Sequence, residues 1–277
     1  MASAKLLSSE ILRKCSQISE EWRPLEPKHA LSILSGLSQK RDLALARKAY
    51  VLVIESGLNP IGILTNHLIR LFSECGSLRE AEAIFCKAPN LSAYTWHAII
   101  SAHSTLGEPI KSLDLYNTMQ RTGVKPDKVV FLCALKSCGS TGMVDHGKSI
   151  HEQIVNFGLE FDIAISNALI DMYGKCGGLQ EAKAICDGLP NRDLVTWGAL
   201  VSGYAQHGYG ESALEAFVEM QKEGFIPDEL VFSSIIKVCK SLGLLSQGRL
   251  LYEQICIFGM ESEVVVGSTL INMYAEC

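Results

Sequence analysis

The chain repeats itself at an offset of 101 residues, the shift that carries Asn66 onto Asn167 and Trp96 onto Trp197. Many other residues coincide under the same shift. Among them are Cys75-Gly76 with Cys176-Gly177, Pro126-Asp127 with Pro227-Asp228, Cys138 with Cys239, and Phe157-Gly158 with Phe258-Gly259. A long internal period is typical of repeat architectures, in which each unit buries its apolar face against its neighbours. The sequence therefore predicts an array of small units rather than one large globular core.

Glycine and proline mark the boundaries of these units. Gly123 and Gly224 are each followed, three residues later, by a Pro-Asp pair. Since glycine favours the end of a helix and proline cannot continue one, a new helical hairpin is expected to begin after Asp127 and after Asp228. Counting outward predicts a lead segment, in which a short helix could cover the first unit, then seven complete units and an incomplete eighth. The lead is 1–26, and the units are 27–61, 62–92, 93–127, 128–162, 163–193, 194–228, 229–263 and 264–277.

Each unit contains two apolar stripes at helical spacing. In residues 163–193 the first stripe includes Ile165 and Tyr173. Gly177-Gly178 interrupts it, and a second stripe then runs to Pro190, which indicates two antiparallel helices. The predicted fold is all-α, an α-solenoid in which helix pairs form a right-handed superhelix. Small residues are expected where the two helices of a hairpin approach most closely, at Ala81, Ala182, Gly147 and Gly248.

Composition excludes several other classes of protein. The 48% of apolar residues is ample for stacking repeats, but no apolar run approaches the roughly 18 residues that span a bilayer. No membrane association is therefore predicted. The chain has ten cysteines, no recognisable signal peptide, and cysteines at recurring positions in the units. These cysteines are interpreted as small apolar packing residues in a reducing compartment rather than as disulfides.

The sequence contains no pattern that predicts catalysis. A deaminase-type zinc site needs a His-x-Glu and a Cys-x-x-Cys, and neither occurs in the chain. Residues 208–213 formally match a glycine-rich dinucleotide loop, but they lie in a turn between helices with no preceding strand. We therefore expect no enzyme activity, no catalytic residue, no cofactor and no metal site.

Several stretches resemble pentatricopeptide (PPR) repeats. Thr95 to Asp127 and Thr196 to Asp228 look like the standard 35-residue repeat, and residues 167–177 resemble the short variant. Leu135–Cys138, followed by Gly147–His151, is similar to the long variant. The order long, short, standard over residues 27–277 resembles the plant-type PLS subclass. The long units would be 27–61, 128–162 and 229–263, the short ones 62–92, 163–193 and 264–277, and the standard ones 93–127 and 194–228.

This resemblance implies binding of single-stranded RNA, one base per repeat. In such repeats the fifth and last residues contact a base edge, and the second residue stacks between neighbouring bases. An amide can donate to and accept from one base edge, and a carboxylate can orient the amide. The implied base-reading pairs are Asn66 with Ser92, His97 with Asp127, Asn167 with Asp193, Gly198 with Asp228, and Ser233 with Glu263.

Two of these pairs predict a base. Asn167 with Asp193 matches the uracil-favouring pair of the family, and Asn66 with Ser92 resembles a pyrimidine-favouring pair. The expected footprint is short, with a pyrimidine and a uracil three bases apart. A structural alternative stays open, because asparagine and aspartate are also common helix caps. Both asparagines could cap their own first helices, and the aspartates could cap the helices that follow them.

Charge does not favour a nucleic-acid partner, since 30 acidic residues outnumber 25 basic ones and the formal net charge is −5. Affinity for nucleic acids comes largely from lysine and arginine on phosphates. Recurring basic residues on the first helices could supply such contacts, or they could simply be solvated. Weak, salt-sensitive binding is therefore expected. The candidate backbone-contacting residues are Arg70, Lys136, Lys175, Lys237 and Lys240.

Together with the absence of a catalytic pattern, the resemblance implies a non-catalytic protein that selects single-stranded organellar RNA for editing, processing or stabilisation, with partner proteins for those steps. The resemblance implies a mitochondrion or chloroplast. The acidic residues of the lead segment do not fit a transit peptide, so a cytoplasmic location stays open. The alternatives are a helical protein–protein scaffold or a truncated fragment. An incomplete last unit would expose apolar surface and could cause self-association.

Overall fold

The computed structural model of the chain describes residues 26–38, 41–58, 62–88 and 90–276. These residues form fifteen α-helices and no strand, which confirms the predicted all-α class. None of the described helices is long and apolar enough to cross a membrane. The helix predicted for the lead segment lies outside the described residues. The helices are α1 (Pro27–Ser38), α2 (Leu43–Glu55), α3 (Gly62–Glu74), α4 (Leu78–Lys87), α5 (Ala93–Thr105), α6 (Pro109–Arg121), α7 (Lys128–Thr141), α8 (Val144–Asn156), α9 (Ile163–Cys176), α10 (Leu179–Gly188), α11 (Leu194–Gln206), α12 (Gly210–Lys222), α13 (Glu229–Leu242), α14 (Leu245–Ile257) and α15 (Val264–Glu276).

Helix ends follow from local chemistry. The side chain of Asp162 accepts hydrogen bonds from the backbone N–H groups of Ala164 and Ile165, at 3.1 and 3.2 Å, and so caps the start of α9. At the other end Gly177 adopts a left-handed conformation with φ of 80°, which residues with a Cβ rarely adopt. The chain therefore reverses direction at this glycine, as the sequence predicts, and α10 begins two residues later.

The helices alternate between two packing roles. They form two compact blocks, an N-terminal block up to Cys133 and a C-terminal block from Ala134. Odd-numbered helices are the first helices of the predicted repeats. Within each block they pack on one another in turn: α1 on α3 on α5 in the first block, and α9 on α11 on α13 on α15 in the second. Second helices such as α4, α10 and α12 pack on the first helices of their own and the following repeat. Each block is thus a stack of helix hairpins.

Gly147 and Gly248 make room for a methionine of the following repeat. A Cβ at Gly147 would lie 2.4 Å from Sδ of Met172, and a Cβ at Gly248 would lie 2.4 Å from Sδ of Met273. The sequence predicted that these glycines make room for the other helix of their own hairpin, and that prediction is wrong for Gly147 and Gly248. The methionine reaches α8 or α14 from the first helix of the next repeat.

The first helices α9 and α11 also approach each other through glycine. A Cβ added to Gly203 would lie 2.9 Å from the Cα of Gly174, so neither position has room for a side chain. Large residues fill the rest of this region, and both Tyr173 and Trp197 are almost completely buried. This close packing sets the position of the polar residues on the same two helices.

Candidate nucleic-acid interface

Exposed apolar side chains stand at the second residue of most repeats. The exposed fraction ranges from 39% at Val129 to 71% at Tyr94. Folding gains nothing from a large apolar side chain left in water, so a set of them at one register position indicates a role other than packing. The second residues Ala164 and Lys28 complete the set, the first half-buried and the second exposed. We call the large members the apolar row: Ile63, Tyr94 and Val129 in the N-terminal block, and Val195, Leu230 and Val265 in the C-terminal block.

Asn167 and Asp193, the fifth and last residues of one repeat, are joined by hydrogen bonds. The Asn167 amide nitrogen donates to Asp193, at 3.1 Å from Oδ1 and 3.3 Å from Oδ2. The Thr196 hydroxyl lies 2.7 Å from Oδ1 of Asn167 and 2.9 Å from Oδ1 of Asp193, and it donates its single proton to one of them. Asp193 also accepts from the Thr196 backbone N–H at 2.8 Å, which completes a capping box on α11. The three side chains therefore form one closed network.

This network keeps the Asp193 carboxylate charged. Partial burial acts to raise the pKa of Asp193, but hydrogen bonds from the Thr196 backbone and hydroxyl, and from Asn167, outweigh burial and lower the pKa below its usual value. Asn167 lies in the second turn of α9, whose cap is Asp162. The alternative that Asn167 caps its own helix is therefore wrong, whereas the alternative that Asp193 caps the next helix is confirmed.

The equivalent residues of an earlier repeat, Asn66 and Ser92, are not joined. Ser92 caps α5 by accepting from the Thr95 N–H at 3.2 Å, and its hydroxyl lies 2.9 Å from the Thr95 hydroxyl. Oδ1 of Asn66 is buried and has no hydrogen-bond partner among the described residues. Asn66 lies inside α3 and so does not cap it. Unlike Asn167, Asn66 therefore has no partner for its amide oxygen among the described residues.

His97 and Asp127, the corresponding pair of the next repeat, form a longer contact. Nδ1 of His97 lies 3.7 Å from Oδ2 of Asp127, and both side chains are partly exposed. Oδ1 of Asp127 accepts from the backbone N–H of Val130 at 2.8 Å. Asp127 therefore acts as a cap and still presents one oxygen to His97.

In the two remaining pairs, Gly198 with Asp228 and Ser233 with Glu263, no hydrogen bond between the two partners is seen in the described residues. Gly198 is buried, and a Cβ there would meet only Cγ2 of Val231, at 3.5 Å. Asp228 caps α13 by accepting from the Val231 N–H at 2.9 Å. Ser233 is buried, and its hydroxyl has no hydrogen-bond partner among the described residues. Glu263 is exposed, just before α15.

A groove of ≈ 670 Å³ lies between α3 and α5. Ile63 and Tyr94 of the apolar row line it together with Asn66 and His97, and so do His67 and Arg70. Sequence reasoning named Asn66, His97 and Arg70 but not the groove residue His67, since nothing marks His67 in the sequence. It also missed Thr196, although a hydroxyl three residues after a capping aspartate is a recognisable capping-box signal.

The predicted backbone-contacting residues fall into two groups. Arg70 pairs with Glu74 at 2.8 Å, Lys175 with Asp171 at 2.6 Å and Lys240 with Glu276 at 2.6 Å. Lys136 and Lys237 are exposed and form no salt bridge within the described part of the chain. Two of the five positions thus present an uncompensated charge, while the other three would have to exchange a carboxylate for a phosphate.

A stack of helix hairpins, with polar residues at recurring positions beside the apolar row, places this chain in the class of α-helical repeat proteins. Profiles of the PPR repeat match residues 64–90, 94–124 and 165–193, and a profile of the PPR repeat family matches residues 192–241. The chain belongs to the PPR repeat family.

Relatives in Arabidopsis thaliana are pentatricopeptide repeat-containing proteins. At2g33680 is 32% identical over 246 residues, which covers 89% of this chain and 34% of that protein. The chloroplastic protein At4g25270 is 34% identical over 220 residues, with 79% and 41% covered, and the mitochondrial protein At3g25060 is 30% identical over 272 residues, with 97% and 44% covered. The chain therefore spans between a third and a half of the length of these relatives.

Solved structures show the same fold. The pentatricopeptide repeat protein PPR10 in complex with an 18-nt psaJ RNA element superimposes with a TM-score of 0.80 and 19% identity, over 94% of this chain and 39% of that one. The structure of PPR10 from maize gives a TM-score of 0.63 at 19% identity, over 97% and 42% of the two chains.

Proposed function

We propose that this chain binds single-stranded RNA, one base per repeat, and selects transcripts without itself catalysing a reaction on them. The observation that carries the proposal is the network of Asn167, Asp193 and Thr196. It holds an amide at a fixed position by hydrogen bonds to its own carboxylate and hydroxyl partners. A fixed amide beside a charged carboxylate can discriminate between base edges, because it offers one donor and one acceptor in a defined orientation.

The apolar row supports the proposal. Ile63 and Tyr94 line one groove together with the fifth residues Asn66 and His97. A base inserted between two such side chains would stack on apolar surface while its edge faces the polar residue. Base stacking on an aromatic ring contributes about 1–3 kcal/mol and tolerates any base, so the stacking supplies affinity and the polar pair supplies the choice.

The sequence preference follows from the two asparagine repeats. The repeat 163–193, with its closed network, would select uracil, and the repeat 62–92 would prefer a pyrimidine three bases away. Because the amide of Asn66 lacks the hydrogen bonds that hold Asn167, the earlier repeat should discriminate less sharply. Each good match contributes roughly 1–3 kcal/mol of discrimination, by analogy with duplex readout.

The setting proposed for this activity is an organelle. Relatives are chloroplastic and mitochondrial proteins, and PPR10, which shares the fold, was solved with an RNA element. We place the chain in the PLS subclass on the order of its long, short and standard repeats. It would act as a specificity module in editing, processing or stabilisation, with a partner protein supplying any chemistry.

Phosphate contacts should be few. Lys136 and Lys237 are the exposed basic residues at matching first-helix positions that no described acid neutralises. Two to five phosphate contacts predict a shallow dependence of affinity on salt, with a slope of about −0.7 per contact on logarithmic axes for single strands.

The test is selection from a random single-stranded RNA pool at two salt concentrations, with single-stranded DNA as a control. Enrichment of sequences with pyrimidines three bases apart, lost in Asn66→Ala/Asn167→Ala, is the expected result. Salt-sensitive binding without any enriched motif would contradict base reading. Absence of binding at low salt would exclude RNA and favour the protein–protein scaffold instead.

A further inference from the structure

We propose that Thr196 determines which base the preceding repeat selects, although it belongs to neither the fifth nor the last position of a repeat. This inference rests on the proposed function, in which Asn167 and Asp193 of the repeat 163–193 read one base. Thr196 is the third residue of the next repeat and is completely buried. It therefore acts through the Asn167 amide and is a positioning residue.

The third residue of a repeat is a core position, and a hydroxyl group there needs a reason. From the repeat 62–92 onward this residue is completely buried in every repeat: Leu64, Thr95, Val130, Ile165, Thr196, Val231 and Val266. Threonine occupies the position only in the two repeats that directly follow a repeat with asparagine as its fifth residue, Asn66 or Asn167. Threonine has nearly the shape of valine, but burying its hydroxyl is unfavourable unless the group is hydrogen-bonded. The pattern therefore links the threonine hydroxyl to the asparagine of the preceding repeat.

Helix capping does not require this hydroxyl. At the start of α11 the Asp193 backbone N–H donates to the Thr196 hydroxyl at 3.2 Å, as part of the capping box. Other aspartates cap their helices through the backbone N–H of an aliphatic third residue: Asp127 with Val130 at 2.8 Å, Asp162 with Ile165 at 3.2 Å and Asp228 with Val231 at 2.9 Å. A valine would thus keep the cap. The contact that needs a hydroxyl side chain is the one with Asn167.

The Asn167 amide is held at both of its ends. Its nitrogen donates to the Asp193 carboxylate, which can only accept, at 3.1 Å from Oδ1. Its oxygen lies 2.7 Å from the Thr196 hydroxyl, which is nearer than Oδ1 of Asp193 at 2.9 Å. One hydrogen bond alone would leave the amide plane free to turn, because the terminal torsion of asparagine has a broad, roughly two-fold profile. The hydroxyl therefore fixes the direction in which the amide oxygen and nitrogen point.

The direction of an amide separates uracil from cytosine. Uracil presents a donor at N3 beside an acceptor at O4, whereas cytosine presents an acceptor at N3 beside a donor at N4. An amide has two N–H donors and two oxygen lone pairs, so the bonds of Asn167 to Asp193 and Thr196 leave one of each for such an edge. An amide that can turn over matches both pyrimidines by exchanging the two groups, but an amide with a fixed direction matches only one of them. Selection of uracil over cytosine by this repeat thus depends on Thr196.

The repeat 62–92 has a different arrangement around its asparagine. The Thr95 hydroxyl lies 2.9 Å from the hydroxyl of Ser92, and Oδ1 of Asn66 has no hydrogen-bond partner among the described residues. The oxygen end of this amide is therefore not held by the threonine, and the repeat should accept both pyrimidines. It supplies an internal comparison for Thr196.

The test compares uracil and cytosine at one base of a bound RNA. Selection with the wild type gives a bound sequence, and the base whose enrichment is lost in Asn167→Ala identifies the position read by the repeat 163–193. Two labelled RNAs with this sequence, one with uracil and one with cytosine at that position, are then titrated by fluorescence anisotropy. Thr196→Val should reduce the ratio of the two affinities about two- to tenfold, as the loss of one neutral hydrogen bond implies. Its affinity for the cytosine RNA should not fall, which would show that the groove is intact.

Further variants separate positioning from packing. Thr196→Ser keeps the hydroxyl but loses the methyl group, so it should retain the wild-type ratio, whereas valine would serve a packing role better. Thr95→Val is the matched control in the repeat 62–92 and should leave the uracil-to-cytosine ratio at its own base unchanged. A wild-type ratio in Thr196→Val, or an equal loss in Thr196→Ser, would overturn this inference and leave the proposed function intact. Absence of RNA binding by the wild type, or binding without an enriched base, would overturn the proposed function and this inference with it.

Discussion

The amide nitrogen of Asn167 donates to the Asp193 carboxylate at 3.1 Å. This hydrogen bond joins the first helix of one repeat to the residue that caps the first helix of the next repeat. Asn167 is nine-tenths buried, so its loss leaves Asp193 and Thr196 with unsatisfied hydrogen-bonding capacity. We expect Asn167→Ala to lower the free energy of unfolding by about 1–3 kcal/mol. Urea denaturation followed by circular dichroism measures the change.

Asn66→Ala is the matched control, because the same residue type stands at the same register with no partner for its Oδ1. Its cost should be smaller than that of Asn167→Ala, since only packing is lost. Equal losses in the two variants would show that the network contributes nothing beyond side-chain volume.

Replacing Ser92 by aspartate should build the missing network in the repeat 62–92. The longer carboxylate can keep capping the Thr95 N–H and also reach the Asn66 amide, as Asp193 reaches Asn167. Ser92→Asp should therefore raise the urea midpoint and sharpen a pyrimidine preference into a uracil preference. Denaturation and competition binding with single-base RNA variants measure the two effects. The reverse change, Asp193→Ser, should do the opposite, and a Ser92→Asp protein no more stable than the wild type would refute this account of the difference.

The lowered pKa of Asp193 predicts a pH dependence of stability. A carboxylate whose pKa is lower in the folded state stabilises that state above the unfolded pKa of about 3.9, and the contribution is lost as the pH falls through the folded pKa. The stability difference between the wild type and Asp193→Asn should therefore be constant above about pH 5 and shrink below about pH 4. Urea titrations between these limits measure it. A difference that stays constant down to pH 3 would mean that the carboxylate is not held in its charged form.

The fold could be predicted because it depends on signals between residues that are close in the sequence. Contacts between helices could not be predicted, because they depend on distances in the folded chain. Glycine, proline and aspartate act within a few residues, so the hairpin turn at Gly177 could be inferred from the sequence. Arg70 with Glu74 has the spacing of an intrahelical ion pair and could have been recognised. Lys240 with Glu276 joins two helices, and no spacing rule predicts it.

The difference between the repeats 62–92 and 163–193 is a second case in which a contact could not be predicted from the sequence. Asn66 and Asn167 are identical in type and register, yet Oδ1 of Asn66 has no hydrogen-bond partner among the described residues, whereas the Asn167 amide is held by Asp193 and Thr196. A sequence pattern records the residue types, whereas the network depends on the distances between side chains in the folded chain.

Gly147→Ala should destabilise the C-terminal block, because the new methyl group would meet the buried Met172 side chain. Overpacking costs about 1–3 kcal/mol, which exceeds the gain of roughly 1 kcal/mol from replacing a helical glycine by alanine. Met172→Ala should remove the clash, so the double variant should be no less stable than Met172→Ala alone. Gly188→Ala is the control, since a Cβ there meets nothing within 4 Å and should not destabilise. If both glycine variants are stabilising, the methionine moves aside freely and the close contact does not constrain the helices.

Tyr94→Ala separates RNA affinity from stability. The ring is 71% exposed, so its removal should leave the urea midpoint unchanged. If a base stacks on it, affinity for a selected RNA should fall roughly tenfold, in keeping with about 1–3 kcal/mol per stacked base. Tyr209 is an exposed tyrosine outside the apolar row, and Tyr209→Ala should leave RNA affinity unchanged. Fluorescence anisotropy with a labelled RNA measures both. Equal affinities for the wild type and Tyr94→Ala would remove the apolar row from the RNA interface, because Tyr94 is its largest and most exposed member.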